Sequence, residues 1–270
     1  KSDPPLLVER SRIDHIKPGN LDDDFNEIKD ADWVIEAVVE RIDIKHKLYS
    51  QIDKVRSPNS IISSNTSTIP LSILTQEMSD SMKTDFCITH FFNPVRFMRL
   101  LEIVETPTMN KDKMDGLRDF CKNELGKGIV NCNDTPGFIG NRIGVYAMQV
   151  AMYEALERGL PVEIADALFG RPLGIPKTGV FGLYDLIGID LMKDVLASFK
   201  KELQENDPFM DVVKPHPLVE QLLEKGFNGN KGPGGFYQTT IVEGDEHVKA
   251  MNTSDMSYYD FDKVDLEIAR

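Results

Sequence analysis

Between residues 33 and 132, apolar runs alternate with amphipathic segments, and this alternation restricts the fold more than any other feature of the sequence. Trp33–Val39 is nearly continuous in apolar side chains, which is typical of a strand buried on both faces of a parallel sheet. Residues 43–55 follow with apolar side chains at helical spacing. Further apolar runs lie at residues 61–62, 86–89, 100–104 and 129–132. Strands that alternate with helices predict a parallel sheet covered by helices on both faces.

Polar side chains follow several of the predicted strands at the point where each strand ends. They are Glu40, Ser67, His90 and Asn93. Ligands of such sheets bind at the carboxyl ends of the strands. The sequence therefore predicts a binding or catalytic site at this edge.

His90 and Glu102 have the residue types and positions of a general base and its partner. Glu102 lies between Leu101 and Ile103, so its side chain points to the face opposite theirs in a strand. If the two strands are neighbours, the carboxylate can fix the imidazole tautomer and raise its basicity. The alternative is structural, with His90 packed among nearby phenylalanines and Glu102 solvated. The spacing alone leaves both interpretations open.

The pattern changes after Asp134, where we place a domain boundary. Helices are predicted over residues 138–158, 161–169, 182–187, 190–203 and 217–225, and no strand pattern returns before Phe236. We therefore predict an α/β domain over residues 1–134, a helical domain over 135–237 and a polar tail or linker over 238–270. Within the last segment a hairpin is expected around Glu243–Asp245. Near the other end of the chain, Arg12–Ile16 is predicted to be a strand.

Composition and charge exclude several classes of partner. The net charge is −13, from 31 basic and 44 acidic side chains, which argues against a nucleic acid or an anionic membrane surface. No apolar run approaches the roughly 20 residues of a membrane span. Cys87, Cys121 and Cys132 are odd in number and far apart, as expected in a reducing compartment without disulfides. No His or Cys spacing predicts a metal site.

The glycine-rich turn of a dinucleotide-binding fold is absent from this sequence. No G-x-G-x-x-G follows a predicted strand, and the glycines at 137, 140 and 144 have another spacing within a predicted helix. Two interpretations follow: the protein does not bind a nucleotide, or the chain begins partway through the nucleotide-binding domain. Because Lys1 is not a natural start, we expect further sequence upstream.

Five segments, in order along the chain, carry a family resemblance. They are Val34–Glu40, Ser63–Ser67, His90–Pro94, Thr135–Arg142 and Lys231–Tyr237. Together they resemble the L-3-hydroxyacyl-CoA dehydrogenase family, whose members have a Rossmann domain followed by a helical domain. The resemblance implies the fold class α/β: a truncated Rossmann-like parallel sheet, without its N-terminal strand-helix-strand, and then an all-α domain of the family's C-terminal type.

The resemblance also implies a function and a set of site residues. The reaction would be NAD-dependent oxidation of L-3-hydroxyacyl-CoA to 3-ketoacyl-CoA in fatty-acid β-oxidation, in a site between the two domains. His90 would be the general base, oriented by Glu102. Ser67 and Asn141 would bind the substrate oxygen. The positions that match cofactor contacts are Glu40, Lys45, Ser67, Asn93 and Lys231.

Each role has a structural alternative, and two other functions can be drawn. Ser67 and Asn65 could cap the helix that starts near Pro70, Asn141 could lie on a helix surface, and Lys231 could simply be solvated. A hydrolase using Ser67, His90 and Glu102 is possible in principle, although there is no G-x-S-x-G elbow. A non-catalytic protein could also reuse the fold.

The resemblance carries expectations about the parent protein as well. We expect an acyl-CoA substrate, and either a homodimer or packing against a further helical domain of a longer, multifunctional chain. The expected location is cytoplasmic, or the mitochondrial matrix in a eukaryote. Without a glycine-rich turn for the pyrophosphate, the 270-residue chain alone is expected to be inactive.

Overall fold

The chain forms two compact units, Lys1–Asn141 and Arg142–Arg270. A computed structural model describes residues 7, 9–173, 178–214, 216–242 and 245–262. The predicted fold class is confirmed, because a Rossmann-like sheet unit precedes a mainly helical unit.

The first unit is built on a five-stranded sheet with the order β1-β2-β3-β4-β5. Its strands are β1 (Trp33–Glu36), β2 (Ile61–Ser64), β3 (Phe86–Phe91), β4 (Leu100–Glu105) and β5 (Gly128–Asn131). Its helices are α1 (Ile42–Val55), α2 (Leu71–Leu74), α3 (Asp80–Lys83) and α4 (Lys111–Asn123), and short 3-10 helices cover Arg10–His15 and Phe25–Asp30. Helices α1, α2 and α3 pack on one face of the sheet, and α4 packs on the other.

The sheet departs from the predicted parallel arrangement at β4. Strands β1, β2 and β3 are parallel, whereas β4 runs antiparallel to β3 and parallel to β5. The reason is the short connection, residues 92–99, between β3 and β4. A parallel return needs a crossover of about a dozen residues or more. The reversal places each residue of β4 directly opposite a residue of β3.

The predicted strand at Arg12–Ile16 is wrong, since Arg10–His15 is a 3-10 helix. None of the residues in this helix is buried. The apolar side chains of the predicted segment, Ile13 and Ile16, are three residues apart and exposed, so they lack both the spacing and the burial of a strand.

Within the described residues of the second unit, two apolar clusters form, and the larger one is packed by five helices. They are α5 (Gly140–Glu157, which begins at the boundary), α6 (Val162–Leu168), α7 (Phe181–Ile187), α8 (Ile189–Glu202) and α9 (Pro217–Glu224), with 3-10 helices at Arg171–Leu173 and Pro208–Asp211. A three-stranded antiparallel sheet follows, made of β6 (Tyr237–Val242), β7 (Asp245–Met251) and β8 (Tyr258–Tyr259).

The segment expected to be a polar tail contributes to the larger cluster. Strands β6 and β7 pair as an antiparallel hairpin, and residues 243–244 of its predicted turn lie outside the described residues. Ala250 and Met251 are buried in the core of the unit. The hydroxyl of Tyr258 donates to the Gly235 carbonyl at 2.7 Å, and that of Tyr259 donates to Glu163 at 2.8 Å. Docking therefore involves Ala250, Met251, Tyr258 and Tyr259, whereas Ile241, Val242 and Val248 of the same segment remain exposed.

A buried carboxylate holds the glycine-rich loop that precedes β6. Asp185, on α7, accepts hydrogen bonds from the backbone N–H groups of Phe236 at 3.0 Å and Tyr237 at 2.7 Å. Burial raises the pKa of Asp185 to about 7, although these two donors oppose the shift. A Cβ atom on Gly235 would lie 2.0 Å from Asp185 Oδ1, so only glycine fits there.

We expect Gly235→Ala to lower the free energy of unfolding by about 2 kcal/mol or more, because the added methyl group displaces Asp185 from its two donors. Gly116→Ala is the matched control: it lies within α4, and a Cβ atom there would meet nothing within 4 Å. The control should leave stability unchanged or raise it by up to about 1 kcal/mol. Urea unfolding followed by circular dichroism measures both, and equal midpoints for the two variants would contradict this account.

Candidate active site

The carboxyl ends of β1, β2 and β3 and the facing strand β4 bring four of the predicted site residues together, namely Glu40, Ser67, His90 and Glu102. His90 and Glu102 are direct partners in the β3–β4 register. Side chains of directly opposed residues lie on the same face of an antiparallel pair, close enough to touch. The sequence order of the two strands and their short connection therefore create the pair.

The His90–Glu102 pair is buried and hydrogen-bonded. His90 Nδ1 lies 2.8 Å from Glu102 Oε2, and the exposed fractions of the two residues are 3% and 0%. Because a carboxylate can only accept, it favours the tautomer with the proton on Nδ1. Nε2 of His90 then carries a lone pair and can take up a proton.

Two backbone donors complete the environment of Glu102. Its other oxygen, Oε1, accepts the N–H groups of Ile139 at 3.0 Å and Gly140 at 2.6 Å. Burial by itself raises the pKa of Glu102, but the hydrogen bond from His90 and these two donors bring the pKa below its ordinary value. The carboxylate thus stays ionised while its partner imidazole gains or loses a proton.

Aromatic rings enclose the imidazole. The ring of Phe92 lies 4.5 Å and that of Phe138 5.6 Å from the His90 ring, centroid to centroid. Phe138 is buried and has a left-handed backbone conformation, with φ of 48°. This conformation is unusual for a bulky residue and is found where the surroundings enforce it. Phe138 immediately precedes Ile139 and Gly140, whose backbone N–H groups bind Glu102.

Ser67 extends the hydrogen-bonded line on the other side of His90. Its Oγ lies 3.1 Å from His90 Nε2. The turn that carries Ser67 follows β2 and is tied to β3, because Asn65 Oδ1 accepts the N–H of Phe91 at 2.9 Å. Asn65 therefore fixes the turn to the sheet and does not cap the following helix.

Two comparisons with known proteins address the family. Residues 6–135 match the family model described as "3-hydroxyacyl-CoA dehydrogenase, NAD binding domain", and residues 137–239 match "3-hydroxyacyl-CoA dehydrogenase, C-terminal domain". A Deinococcus radiodurans protein named "Probable 3-hydroxyacyl-CoA dehydrogenase" is 35% identical over 243 residues, which cover 90% of this chain and 69% of that protein. The chain belongs to the 3-hydroxyacyl-CoA dehydrogenase family.

Solved structures agree with this family assignment. The crystal structure of M. tuberculosis FadB2 superposes with a TM-score of 0.69 at 30% identity, covering 80% of this chain and 74% of that chain.

A Rickettsia felis protein named "Putative fatty acid oxidation complex trifunctional enzyme" is 40% identical over 98% of this chain. The chain spans only 37%, 35% and 30% of the length of the first three curated relatives it matches.

Two residues that the 3-hydroxyacyl-CoA dehydrogenase resemblance assigns to the cofactor have different surroundings. Glu40 follows β1, and its side chain is 37% exposed. Lys45, on α1, is only 1% exposed, and its ammonium lies 2.8 Å from Glu36 and 3.0 Å from Glu40. This burial does not agree with direct contact between Lys45 and a cofactor. The apolar stripe predicted for α1 gave no sign that a lysine shares its buried face.

The remaining predicted residues are not joined to the His90–Glu102 pair by side-chain bonds. Asn93 follows β3 and is exposed. Asn141, half-buried, is the second residue of α5, and none of the hydrogen bonds among the described residues links it to His90. Lys231 belongs to the second unit, where its ammonium lies 3.7 Å from Asp190.

The carboxyl edge of the sheet offers groups that fit a nicotinamide nucleotide. The half-exposed Glu40 carboxylate and the exposed Asn93 amide are suitable partners for ribose hydroxyls or a carboxamide. The position fits as well, because nucleotides bind at the carboxyl ends of strands in such sheets. The family's NAD binding domain is the part of the chain that carries these residues.

Sequence reasoning missed Glu36 and the two backbone donors to Glu102. Glu36 is a lone acid in a nearly continuous apolar run, which is a readable signal of a buried, paired carboxylate. No comparable signal exists for the N–H groups of Ile139 and Gly140, because their direction depends on the conformation of Phe138.

Within the described ranges, no cluster of three or more His, Cys, Asp or Glu side chains could hold a metal ion. Likewise, none of the helices described there has the length and apolar character needed to cross a bilayer.

We expect Glu102→Gln to weaken the dependence of stability on acidic pH. The folded-state pKa of Glu102 is below the ordinary value of 4.5, so its contribution is complete above about pH 4.5 and is lost as the pH falls through the folded-state value. The free energy of unfolding of the variant should therefore fall furthest below that of wild type at pH 7, by about 1 kcal/mol or more because hydrogen bonds to a charged group are lost. The two values should converge as the pH falls to 3.

Urea unfolding at several pH values measures this difference. Glu105→Gln, on the same strand but exposed, is the control and should differ from wild type by less than Glu102→Gln does at pH 7. A Glu102→Gln deficit that stays constant between pH 7 and pH 3 would contradict the account.

Proposed function

We propose that the full-length protein carrying this chain oxidises L-3-hydroxyacyl-CoA thioesters to 3-ketoacyl-CoA with NAD. The observation that carries the proposal is the hydrogen-bonded line Ser67–His90–Glu102, with a proton-accepting Nε2 at the carboxyl edge of the sheet. Membership of the 3-hydroxyacyl-CoA dehydrogenase family supports it. The name of the Rickettsia felis relative supports a place in fatty-acid oxidation.

His90 is the general base in this proposal. Its Nε2 takes the proton of the substrate's C3 hydroxyl while the hydrogen on C3 leaves as hydride. The imidazolium that forms is stabilised by Glu102, which is already ionised and lies 2.8 Å away. The rings of Phe92 and Phe138 keep water from competing for this proton. NAD, when bound, supplies the hydride acceptor.

Binding roles are assigned to residues at the same edge. Ser67, whose hydroxyl already reaches His90 Nε2, hydrogen-bonds the substrate oxygen. We assign Asn141 to the same oxygen, and Glu40, Asn93 and Lys231 to the cofactor, on the basis of the family motifs they occupy.

The domain organisation belongs to the same proposal. Residues 1–134 form the NAD-binding part and residues 135–237 the helical part, which pairs with a second copy or with a further helical domain. Exposed apolar side chains on α5, Ile143 at 64% and Tyr146 at 38%, support such packing.

A hydrolase is the second candidate, because a Ser–His–acid line is also the geometry of an acyl-transfer triad. Acyl transfer needs N–H donors near the nucleophile to hold the oxyanion. Here the N–H groups of Ser67 and Thr68 donate to the Glu40 carboxylate at 3.0 and 3.4 Å. An oxyanion at Ser67 would meet a negative charge, so the geometry favours the dehydrogenase.

His90→Gln should lower kcat for acetoacetyl-CoA reduction by about 10²-fold or more, because the variant has no proton donor or acceptor of suitable pKa at that position. The full-length protein is assayed by following NADH absorbance. His15→Gln, on an exposed 3-10 helix, is the matched control and should keep wild-type kcat. A fall of only a few-fold for His90→Gln would refute the assignment, and an inactive wild-type protein would favour a non-catalytic role.

Ser67→Ala separates the two candidate reactions. A dehydrogenase loses one hydrogen bond and should retain activity at about a tenth of wild type. A hydrolase loses its nucleophile and should lose all activity toward a thioester or ester substrate. We expect the first result, together with no ester hydrolysis by the wild-type protein. Ester hydrolysis abolished by Ser67→Ala would reverse the choice.

A further inference from the structure

The proposed reaction does not use Glu36, although Glu36 has one of the most densely bonded carboxylates of the first unit. It ends β1 and is 3% exposed. Its oxygens accept hydrogen bonds from Lys45 at 2.8 and 3.0 Å, Tyr49 at 2.6 Å, Ser64 at 2.7 Å and the Val38 N–H at 2.7 Å. These donors leave the carboxylate no room for a substrate contact. The same hydrogen bonds compensate for the removal of the Glu36 carboxylate from water.

Lys45 links this carboxylate to a second one. Its ammonium contacts both oxygens of Glu36 and lies 3.0 Å from Glu40 Oε2. A buried ammonium is stable only where its charge and its N–H groups have partners. Lys45 therefore holds the half-exposed side chain of Glu40 against the sheet.

The two oxygens of Glu40 have separate partners. Oε2 faces Lys45, while Oε1 accepts the hydroxyl of Thr66 and the N–H groups of Ser67 at 3.0 Å and Thr68 at 3.4 Å. Burial raises the pKa of Glu40, but Thr66, Lys45 and the Ser67 N–H together lower it below the ordinary value. An ionised Glu40 thus joins the buried pair to the turn that carries Ser67.

We propose that Glu36 and Lys45 position Ser67 against His90 by fixing the Glu40 carboxylate under the turn at residues 66–68. The inference rests on the proposed function, in which the Ser67 hydroxyl serves the substrate oxygen. If Glu36 loses its charge, Lys45 and Glu40 are free to rearrange. The 3.1 Å contact between Ser67 Oγ and His90 Nε2 then lengthens, and hydrogen bonds weaken steeply with misalignment. Glu36 and Lys45 are positioning residues and do not touch the reacting atoms.

The test is a double-mutant cycle in the full-length protein, with Glu36→Gln, Ser67→Ala and the double variant. We expect each single change to lower kcat about tenfold. The double variant should be no slower than Ser67→Ala alone, because Glu36 acts through the hydroxyl that is already gone. A double variant whose loss equals the product of the two single losses would overturn the proposal. So would a Glu36→Gln protein with wild-type kcat.

Asp85→Asn is the matched control for loss of a buried charge. Asp85 is 5% exposed and pairs with Arg56 at 2.8 Å and Lys113 at 2.6 Å. It precedes β3, at the opposite end of that strand from His90. The control should lower the melting temperature as Glu36→Gln does, yet keep kcat within twofold of wild type. Equal losses of kcat in the two variants would show an effect of stability alone and overturn the proposal.

A second readout does not depend on activity. In histidine-labelled protein, the nitrogen NMR resonance of His90 Nε2, assigned with His90→Gln, should shift in Ser67→Ala and shift in the same direction in Glu36→Gln. It should stay in place in Asp85→Asn. If the wild-type protein has no dehydrogenase activity, the proposed function fails, while this resonance still decides the positioning role: no shift in Glu36→Gln overturns it.

Should Glu36→Gln fail to fold, Glu40→Asp takes its place in the NMR measurement, which is read without cofactor because Glu40 is also assigned to cofactor binding. Its side chain is 37% exposed, so folding is not at risk. The side chain is shorter by one methylene group and cannot reach both Lys45 and the turn. The expected and contradicting results are the same as for Glu36→Gln.

Discussion

The hydrogen bond between Glu102 and His90 is the interaction on which the architecture of the site depends. A carboxylate that is fully buried needs donors for both oxygens. One oxygen is satisfied by the imidazole across the β3–β4 ladder, and the other by two N–H groups beyond β5. The reversed β4, the connection after β5 and the left-handed Phe138 are all needed to bring these donors to one point. The geometry of the pair is therefore set by the backbone before any ligand arrives.

Acidic side chains, two of them buried, recur at the carboxyl edge of this sheet, and each is balanced locally. Glu36 is matched by an ammonium and hydroxyls, Glu40 by an ammonium and a turn, and Glu102 by an imidazole and a turn. Since the chain carries a net charge of −13, long-range attraction does not keep these carboxylates in place. Short hydrogen bonds do, and they hold the side chains in single orientations. This rigidity is what a proton-transfer site requires.

The sequence allowed the sheet, its strand ends and the meeting of His90 with Glu102 to be predicted, because side-chain alternation in neighbouring strands is a strict geometric rule. It did not reveal the direction of β4, which depends on the length of a connection rather than on residue pattern. Nor did it show that Lys45 is buried on α1. A lysine is usually exposed, and only the presence of two carboxylates beneath the helix reverses that preference.

The two closing motifs of the family resemblance are explained to different degrees by packing. In Lys231–Tyr237, Gly235 is required by the approach of Asp185, and Phe236 and Tyr237 bind that carboxylate through their N–H groups. Lys231 is 48% exposed and makes one long contact with Asp190, so the fold places little demand on its charge. In Thr135–Arg142, the backbone of Ile139 and Gly140 serves Glu102, whereas the amide of Asn141 serves no partner in the described hydrogen-bond network of the pair. Packing does not require Lys231 or Asn141, so the assignment of these two side chains to ligands rests on the family motifs that they occupy and stays a prediction.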